Sequence, residues 1–123
     1  PLQMLLDSIH SANVRAGVAL TMGTTPDQAR ATLENADAVL LLTIPEPGKS
    51  GQKFEMDALE RIEQLNKMHF RNKIRICVDG GVNEKIVSLL KVEDLVSGSS
   101  VLNHSNPKHQ IFRLQTAGRY ELV

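Results

Sequence analysis

The chain alternates between short apolar runs and amphipathic helical patterns, and this alternation constrains its fold more than any other feature. The runs with strand character cover residues 16–20, 38–44, 74–78 and 95–96, and helical patterns precede the first run and follow all four. Strands and helices that alternate along one chain form parallel strands joined by right-handed crossovers. The sequence therefore predicts an α/β fold of four βα units preceded by a helix, in a single domain that spans residues 1–123.

Each predicted helix carries an apolar stripe that we expect to face the sheet. The stripes consist of Leu2, Leu5, Leu6 and Ile9; of Ala29, Leu33 and Ala36; of Ala58, Ile62 and Leu65 with Leu59 and Met68; of Ile86, Val87, Leu89 and Leu90; and of Ile111 and Leu114. Capping residues mark three helix starts: Thr25 with Gln28, Asn83, and Asn106 followed by Pro107. Residues 119–123 are predicted to form a tail.

Two architectures remain possible for such a parallel sheet. One is an open doubly wound sheet, and the other is part of a (β/α)₈ barrel. The continuous apolar run 38–44 is typical of a strand that is covered on both faces. In either closure, ligands bind at the carboxyl ends of the strands, so the turns that follow the strands are the place to look for a site.

Glycine-rich turns follow the last three predicted strands. The residues of interest in them are Gly48, Lys49, Ser50 and Gly51 after the second strand, Gly80 and Gly81 after the third, and Gly98 and Ser99 after the fourth. A glycine in such a turn lets backbone N–H groups approach an anion, and the turns after the last two barrel strands are a frequent phosphate site. The turns therefore predict phosphate binding, with simple turn formation as the alternative.

Asp79 is the acid that the pattern singles out. It ends an apolar strand and precedes two glycines, which places its carboxylate at the mouth of the sheet. A carboxylate in that position can act as a general acid or base, or as a metal ligand. The alternative is an aspartate that only caps the turn that follows it.

Three successive motifs resemble the ribulose-phosphate 3-epimerase family. They are LTIPEPGKSGQKF at 42–54, VDGG at 78–81 and VSGS at 96–99, and they follow the order and spacing of the family pattern. The segment AGVAL at 16–20 is also similar to a strand of the family. The resemblance implies that residues 1–123 form the C-terminal half of a TIM (β/α)₈ barrel.

The resemblance also implies an activity in carbohydrate metabolism, the inversion of C3 of a ketose phosphate such as D-ribulose 5-phosphate to D-xylulose 5-phosphate. It implies that Asp79 is a catalytic acid/base and a ligand to one divalent metal ion (Zn, Fe, Mn or Co) per complete barrel. The residues that it implies for the substrate and its phosphate are Gly48, Lys49, Ser50, Gly51, Gly80, Gly81, Gly98 and Ser99. Departures from the family pattern are Pro45, which looks like an insertion, Lys49 and Ser50 in place of an aromatic residue and a glycine, and Leu42 in place of a methionine.

The chain lacks the other half of the site that the resemblance implies. Asp79 matches the family's second aspartate, whereas its first aspartate, its two metal-binding histidines and its N-terminal serine come from strands that this chain does not contain. His10, His69, His104 and His109 are all interpreted as surface residues, and Cys77 as a core residue. Because the chain begins at Pro1 rather than Met, we expect an upstream segment.

This interpretation predicts that the chain is inactive as an epimerase when it is alone. We expect it to form a homo-oligomer or to associate with the missing N-terminal half. Two alternatives remain open, a non-catalytic phosphate-binding half-barrel and a hexulose-6-phosphate 3-epimerase.

The charge and composition of the chain argue against several classes of partner. Its 14 Lys and Arg residues balance 14 Asp and Glu residues, and aromatic residues make up only 3%. A neutral chain with so few stacking side chains gives no reason to expect nucleic acid or an acidic membrane as a partner. Cys77 is the single cysteine, so the chain cannot form an internal disulfide. A membrane-spanning helix needs about 20 apolar residues, and no apolar run in the chain approaches that length. We therefore expect a cytoplasmic protein.

Overall fold

Four parallel strands form one sheet in the order in which they occur along the chain. The strands are β1 (Gly17–Leu20), β2 (Ala38–Leu42), β3 (Arg75–Asp79) and β4 (Asp94–Val96). The computed structural model describes residues 1–118, so the predicted tail lies outside the described residues. An open doubly wound sheet reverses its strand order at a switch point, whereas a barrel wall keeps the order of the chain. The order β1-β2-β3-β4 is therefore that of a half-barrel.

The helices occur where the sequence predicts them, with two differences. They are α1 (Leu2–Ser11), α2 (Arg30–Leu33), α3 (Ala58–Asn66), α4 (Glu84–Val87), α5 (Ser99–Leu102) and α6 (Pro107–Ala117), and a 3₁₀ turn spans Arg71–Lys73. The single-turn helix α5 was not predicted. The predicted capping box is present, with Thr25 N donating to Gln28 Oε1 (2.8 Å) and Gln28 N donating to Thr25 Oγ1 (3.1 Å). The chain nevertheless forms turns there, and the α-helix begins only at Arg30.

The core lies between the helices and one face of the sheet. Alternate strand residues point to that face because the side-chain period of a strand is two. The buried strand residues are Val18, Leu20, Val39, Leu41, Ile76 and Val78, and the helices cover them with Leu6, Leu33, Ala58, Ile62, Leu65, Val87 and Leu114. These helix residues all belong to the predicted stripes, which confirms that the stripes orient the helices. None of the helices within residues 1–118 is both long and apolar enough to cross a bilayer.

The opposite face of the sheet, which we call the open face, is not covered by any element within residues 1–118. Its residues are Gly17 and Ala19 of β1, Ala38, Leu40 and Leu42 of β2, Arg75, Cys77 and Asp79 of β3, and Asp94 and Val96 of β4. All of them are exposed or only partly buried. Right-handed crossovers put every helix on the same side of a sheet with this strand order. The prediction that the run 38–44 is covered on both faces is therefore wrong for this chain, and so is the prediction of Cys77 as a core residue.

Four residues of the predicted stripes are exposed rather than buried. Leu2 and Leu5 are 47% and 57% exposed, Leu89 is 51% exposed and Ile111 is 46% exposed. Helices α1 and α6 are the first and last helices within residues 1–118, so each has a described neighbouring helix on one side only. Leu89 is exposed because α4 ends at Val87, before the stripe is complete.

Candidate functional site

A cleft of about 290 Å³ opens at the carboxyl ends of β2, β3 and β4. The turns that follow these three strands supply its walls. Every site residue predicted from the sequence lines it: Gly48, Lys49, Ser50, Gly51, Asp79, Gly80, Gly81, Gly98 and Ser99. The structure therefore brings all of these predicted positions together, although their chemical roles stay predictions.

Asp79 lies at the end of β3, on the open face of the sheet. It is level with Leu42 of β2 and Val96 of β4, and it is partly buried. Its main-chain carbonyl accepts a hydrogen bond from Thr43 N (3.0 Å). Its carboxylate has no hydrogen-bond or ion-pair partner within residues 1–118, so it does not cap the turn that follows it. The carboxylate is thus available to contact a molecule in the cleft.

The turn after β3 requires glycine at both Gly80 and Gly81. Their φ angles are +134° and +69°, and residues other than glycine rarely adopt positive φ angles of this kind. A Cβ at Gly80 would also lie 2.7 Å from Ile44 Cγ2, and a Cβ at Gly81 would lie 2.7 Å from Phe54 Cα. Ile44 and Phe54 flank the loop 45–53, so this turn packs directly against both ends of the loop.

Three backbone N–H groups of residues that line the cleft have no acceptor within residues 1–118. They belong to Gly81, Gly98 and Ser99. A concave group of unpaired N–H donors is a common way of binding a phosphate. The turns after β3 and β4 thus have the hydrogen-bonding capacity that phosphate needs.

Side chains outside the predicted set hold these turns in place. Ser97 Oγ donates to the carbonyl of Val82 (3.0 Å) and so joins the turn after β4 to the turn after β3. Gln110 Nε2 on α6 donates to Ser100 Oγ (3.2 Å). Sequence reasoning missed Ser97 and Gln110, and the signal that could have found Gln110 is a polar residue at a helix position that the stripe predicts to be buried.

The loop 45–53 is closed by the side chain of Gln52. Its Oε1 accepts from Glu46 N (2.9 Å), and its Nε2 donates to the carbonyls of Glu46 and Lys49 (2.6 Å each). Lys49 Nζ lies 3.3 Å from both carboxylate oxygens of Glu46. Both side chains are about two-thirds exposed, so this ion pair contributes little to stability. Lys49 is the single cation among the cleft residues that the structure describes.

Cys77 lies on the open face, one layer below Asp79. Partial burial is the main cause that raises the pKa of its thiol, and the nearby carboxylates of Asp94 and Asp79 raise it further. Arg75 forms a two-pronged pair with Asp94, in which Nε and Nη2 each lie 2.9 Å from a carboxylate oxygen, and this pair lowers the pKa of Asp94. A thiol with a raised pKa is mostly protonated at neutral pH and is a poor nucleophile.

The residues present do not fit a metal ion by themselves. Within residues 1–118 there is no group of three His, Cys, Asp or Glu side chains that could hold one. Asp79 offers one carboxylate, and none of the four histidines lines the cleft. His10 instead contacts Asp37 (2.8 Å), His69 contacts Glu34 (2.9 Å), and His104 and His109 flank the start of α6.

Comparisons with known proteins match the chain along most of its length. The model of the "Ribulose-phosphate 3 epimerase family" matches residues 2–102. The ribulose-phosphate 3-epimerase of Bacillus subtilis (strain 168) is 32% identical over 120 residues, which are 93% of this chain and 55% of that protein. The cytoplasmic isoform of ribulose-phosphate 3-epimerase from Oryza sativa subsp. japonica is 30% identical over 119 residues, which are 92% of this chain and 51% of that protein.

A solved structure shows the same fold. The crystal structure of KGPDC from Streptococcus mutans, a TIM barrel, aligns with a TM-score of 0.55 and 17% identity and covers 96% of this chain and 53% of that one. The chain thus spans about half the length of the relatives that it matches. With four parallel strands in sequential order and a family match over residues 2–102, this chain is half of a TIM barrel and belongs to the ribulose-phosphate 3-epimerase family.

Proposed function

We propose that this chain supplies the phosphate-binding turns and one acid/base carboxylate of an enzyme that inverts C3 of a ketose phosphate. The observation that carries the proposal is the composition of the cleft, which is lined by the unpartnered carboxylate of Asp79 and by three residues with unpaired backbone N–H groups, Gly81, Gly98 and Ser99. D-ribulose 5-phosphate, which would be converted to D-xylulose 5-phosphate, is the substrate that family membership supports. A hexulose 6-phosphate would present the same phosphate and the same acidic C3 proton.

The chemistry assigns a separate task to each part of the cleft. Removal of the C3 proton next to a ketone needs a base, and inversion needs a proton to return to the opposite face of the carbon. Asp79 would serve one face of the substrate, because it supplies the single carboxylate among the described residues that line the cleft. The unpaired N–H groups of the turns after β3 and β4 would hold the phosphate and so fix the distance from C3 to the carboxylate. The group that serves the opposite face must come from outside this chain.

The divalent metal ion stays a prediction for the complete barrel. Asp79 would be one of its ligands, and the other ligands would have to come from the part of the barrel that this chain does not contain. No step of the proposal depends on the metal.

The open face and the two edge strands indicate what completes the barrel. In a closed (β/α)₈ barrel, eight strands carry eight helices in the outer ring. This chain provides four strands, and α1, α2, α3, α4 and α6 occupy five of the helix positions. If a second copy closed the barrel, α6 of one copy and α1 of the other would compete for one position. We therefore favour an N-terminal unit of four strands and three helices over a homo-oligomer.

Two further features belong to this proposal. The non-catalytic alternative is a half-barrel that only binds phosphate. It would use the same turns, but Asp79 would have no part in its function. A cytoplasmic location is supported by the name of the rice relative, which is a cytoplasmic isoform.

The test compares the 123-residue chain alone with the same chain co-expressed with the N-terminal half of the Bacillus subtilis relative. Exchange of the C3 proton of D-ribulose 5-phosphate with deuterated water is followed by NMR. We expect no exchange by the chain alone, exchange by the pair, and at least about a 100-fold loss in the pair that carries Asp79→Asn. Asp57→Asn is the matched control, since Asp57 is exposed and lies outside the cleft.

Two results would contradict the proposal. An active pair in which Asp79→Asn retains full exchange would remove Asp79 from the chemistry. A stable pair that binds inorganic phosphate but never exchanges C3 would favour the non-catalytic half-barrel.

A further inference from the structure

Thr43 is a fully buried polar residue directly behind the cleft. It follows β2 and has 0% exposed surface. Its N–H donates to the carbonyl of Asp79 (3.0 Å), its carbonyl accepts from Glu55 N (2.8 Å), and its hydroxyl donates to the carbonyl of Gly80 (2.7 Å). Thr43 therefore holds the two successive carbonyls that flank the start of the glycine turn.

The hydroxyl bond to Gly80 determines the direction of a second group. The carbonyl of Gly80 and the N–H of Gly81 belong to one planar trans peptide, so they point in opposite directions. The carbonyl points to the buried hydroxyl of Thr43, and the N–H consequently points away from it. Gly81 lines the cleft, and its N–H has no acceptor within residues 1–118.

The geometry points to Thr43 as a positioning residue that aims the Gly81 N–H at an anion in the cleft. This inference rests on the proposed phosphate site. Glycine permits many backbone conformations, so the peptide between Gly80 and Gly81 is free to rotate unless something holds it. The buried hydroxyl holds it, because rotation would leave the Gly80 carbonyl without its hydrogen bond.

The backbone bonds of Thr43 separate this role from a merely structural one. Its bonds to Asp79 and Glu55 use main-chain atoms and persist after any substitution that preserves the fold. Only the bond to Gly80 depends on the side chain. Thr43→Val removes the hydroxyl and keeps the side-chain shape, whereas Thr43→Ser keeps the hydroxyl and removes a methyl group.

The experiment titrates ¹⁵N-labelled chain with inorganic phosphate and follows the amide signals of Gly81 and Ser99. In the unsubstituted chain, both signals should shift along one binding curve. We expect Thr43→Val to raise the Kd for phosphate by about three- to tenfold and to reduce the shift of Gly81 more than that of Ser99. Thr43→Ser should restore both. Thr116→Val is the control for loss of a threonine hydroxyl, since Thr116 is exposed on α6.

The outcomes separate this inference from the proposed site. If phosphate shifts neither signal in the unsubstituted chain, the proposed phosphate site fails. If phosphate shifts Ser99 and leaves Gly81 unchanged, the site stands and the inference is wrong, a result that needs no variant to fold. Equal Kd values and equal Gly81 shifts for the Thr43→Val and unsubstituted chains would also overturn it.

Discussion

Replacing Gly81 by alanine tests whether the turn after β3 and the ends of the loop 45–53 form one packed unit. The added Cβ would meet two separate costs. The φ of +69° lies in the left-handed region, which costs a residue with a Cβ about 1–2 kcal/mol. The same Cβ would overlap the backbone nitrogen of Phe54 and lie 2.7 Å from its Cα. Forcing an extra carbon into a packed region costs about 1–3 kcal/mol more.

Gly51→Ala provides the matched control for this prediction. Gly51 has a similar φ of +78°, but nothing lies within 4 Å of the position that its Cβ would take. We expect Gly51→Ala to lower the free energy of unfolding by about 1–2 kcal/mol and Gly81→Ala to lower it by about 2–5 kcal/mol. The measurement is urea unfolding followed by far-ultraviolet circular dichroism, with the three chains compared at equal concentration. Equal losses for the two variants would refute the reasoning, because they would mean that Phe54 does not confine Gly81.

Two further predictions follow from shifted pKa values. Hydrogen bonds from Ala16 N (2.7 Å) and His10 (2.8 Å) lower the pKa of the Asp37 carboxyl below its ordinary value of 3.8. A carboxyl whose pKa is lower in the folded than in the unfolded chain stabilises the fold at pH values above its ordinary pKa, and this stabilisation is lost as the pH falls through the pKa of the folded state. The urea midpoint of unfolding of the unsubstituted chain should therefore drop more below about pH 4 than the midpoint of Asp37→Asn. Equal drops would count against this role of Asp37. Burial raises the pKa of the Cys77 thiol, so iodoacetamide should alkylate it at pH 8 several-fold more slowly than it alkylates free cysteine, and mass spectrometry that shows an equal or faster rate would contradict the prediction.

The open face of the sheet affects the alkylation of Cys77. Cys77 is partly exposed on it, and so are the side chains of Leu40 and Leu42. A parallel sheet is normally covered on both faces, and a bare apolar face raises the tendency to associate. A unit that completes the barrel would cover Cys77, so protection of this thiol from alkylation also reports barrel closure.

Much of the fold could be predicted because local rules decide it. The runs of β2 and β3 and the stripe of α3 follow from side-chain periodicity, and Asn83 caps α4 as its position predicts, accepting from Lys85 N and Ile86 N. The exposure of Leu2 and Ile111 could not be predicted in this way. Periodicity indicates which residues can face a neighbour, but not whether a neighbour is present beside the first and last helices.

The position of the candidate site could also be predicted from the sequence, whereas the contacts that support it could not. The carboxyl ends of parallel strands meet at one edge of a sheet, so the order of the βα units was enough to predict that Asp79, Gly80 and Gly98 would line one cleft. The contacts that hold the cleft were not predictable. Thr43 lies in an apolar run, and its role depends on the orientation of a peptide on the neighbouring strand.

The sequence by itself thus determined the four parallel βα units and the position of the cleft, because periodicity, capping and glycine turns act between residues close in the chain. The half-barrel and the family were predicted from the resemblance of the motifs at 42–54, 78–81 and 96–99. Only the tertiary structure decided that one face of the sheet is open, that the carboxylate of Asp79 has no partner within residues 1–118, and that Gly81 packs against Phe54. These features depend on which atoms of distant segments come together. They are fixed by the register of the strands and by the packing of the loop 45–53, which no local pattern encodes.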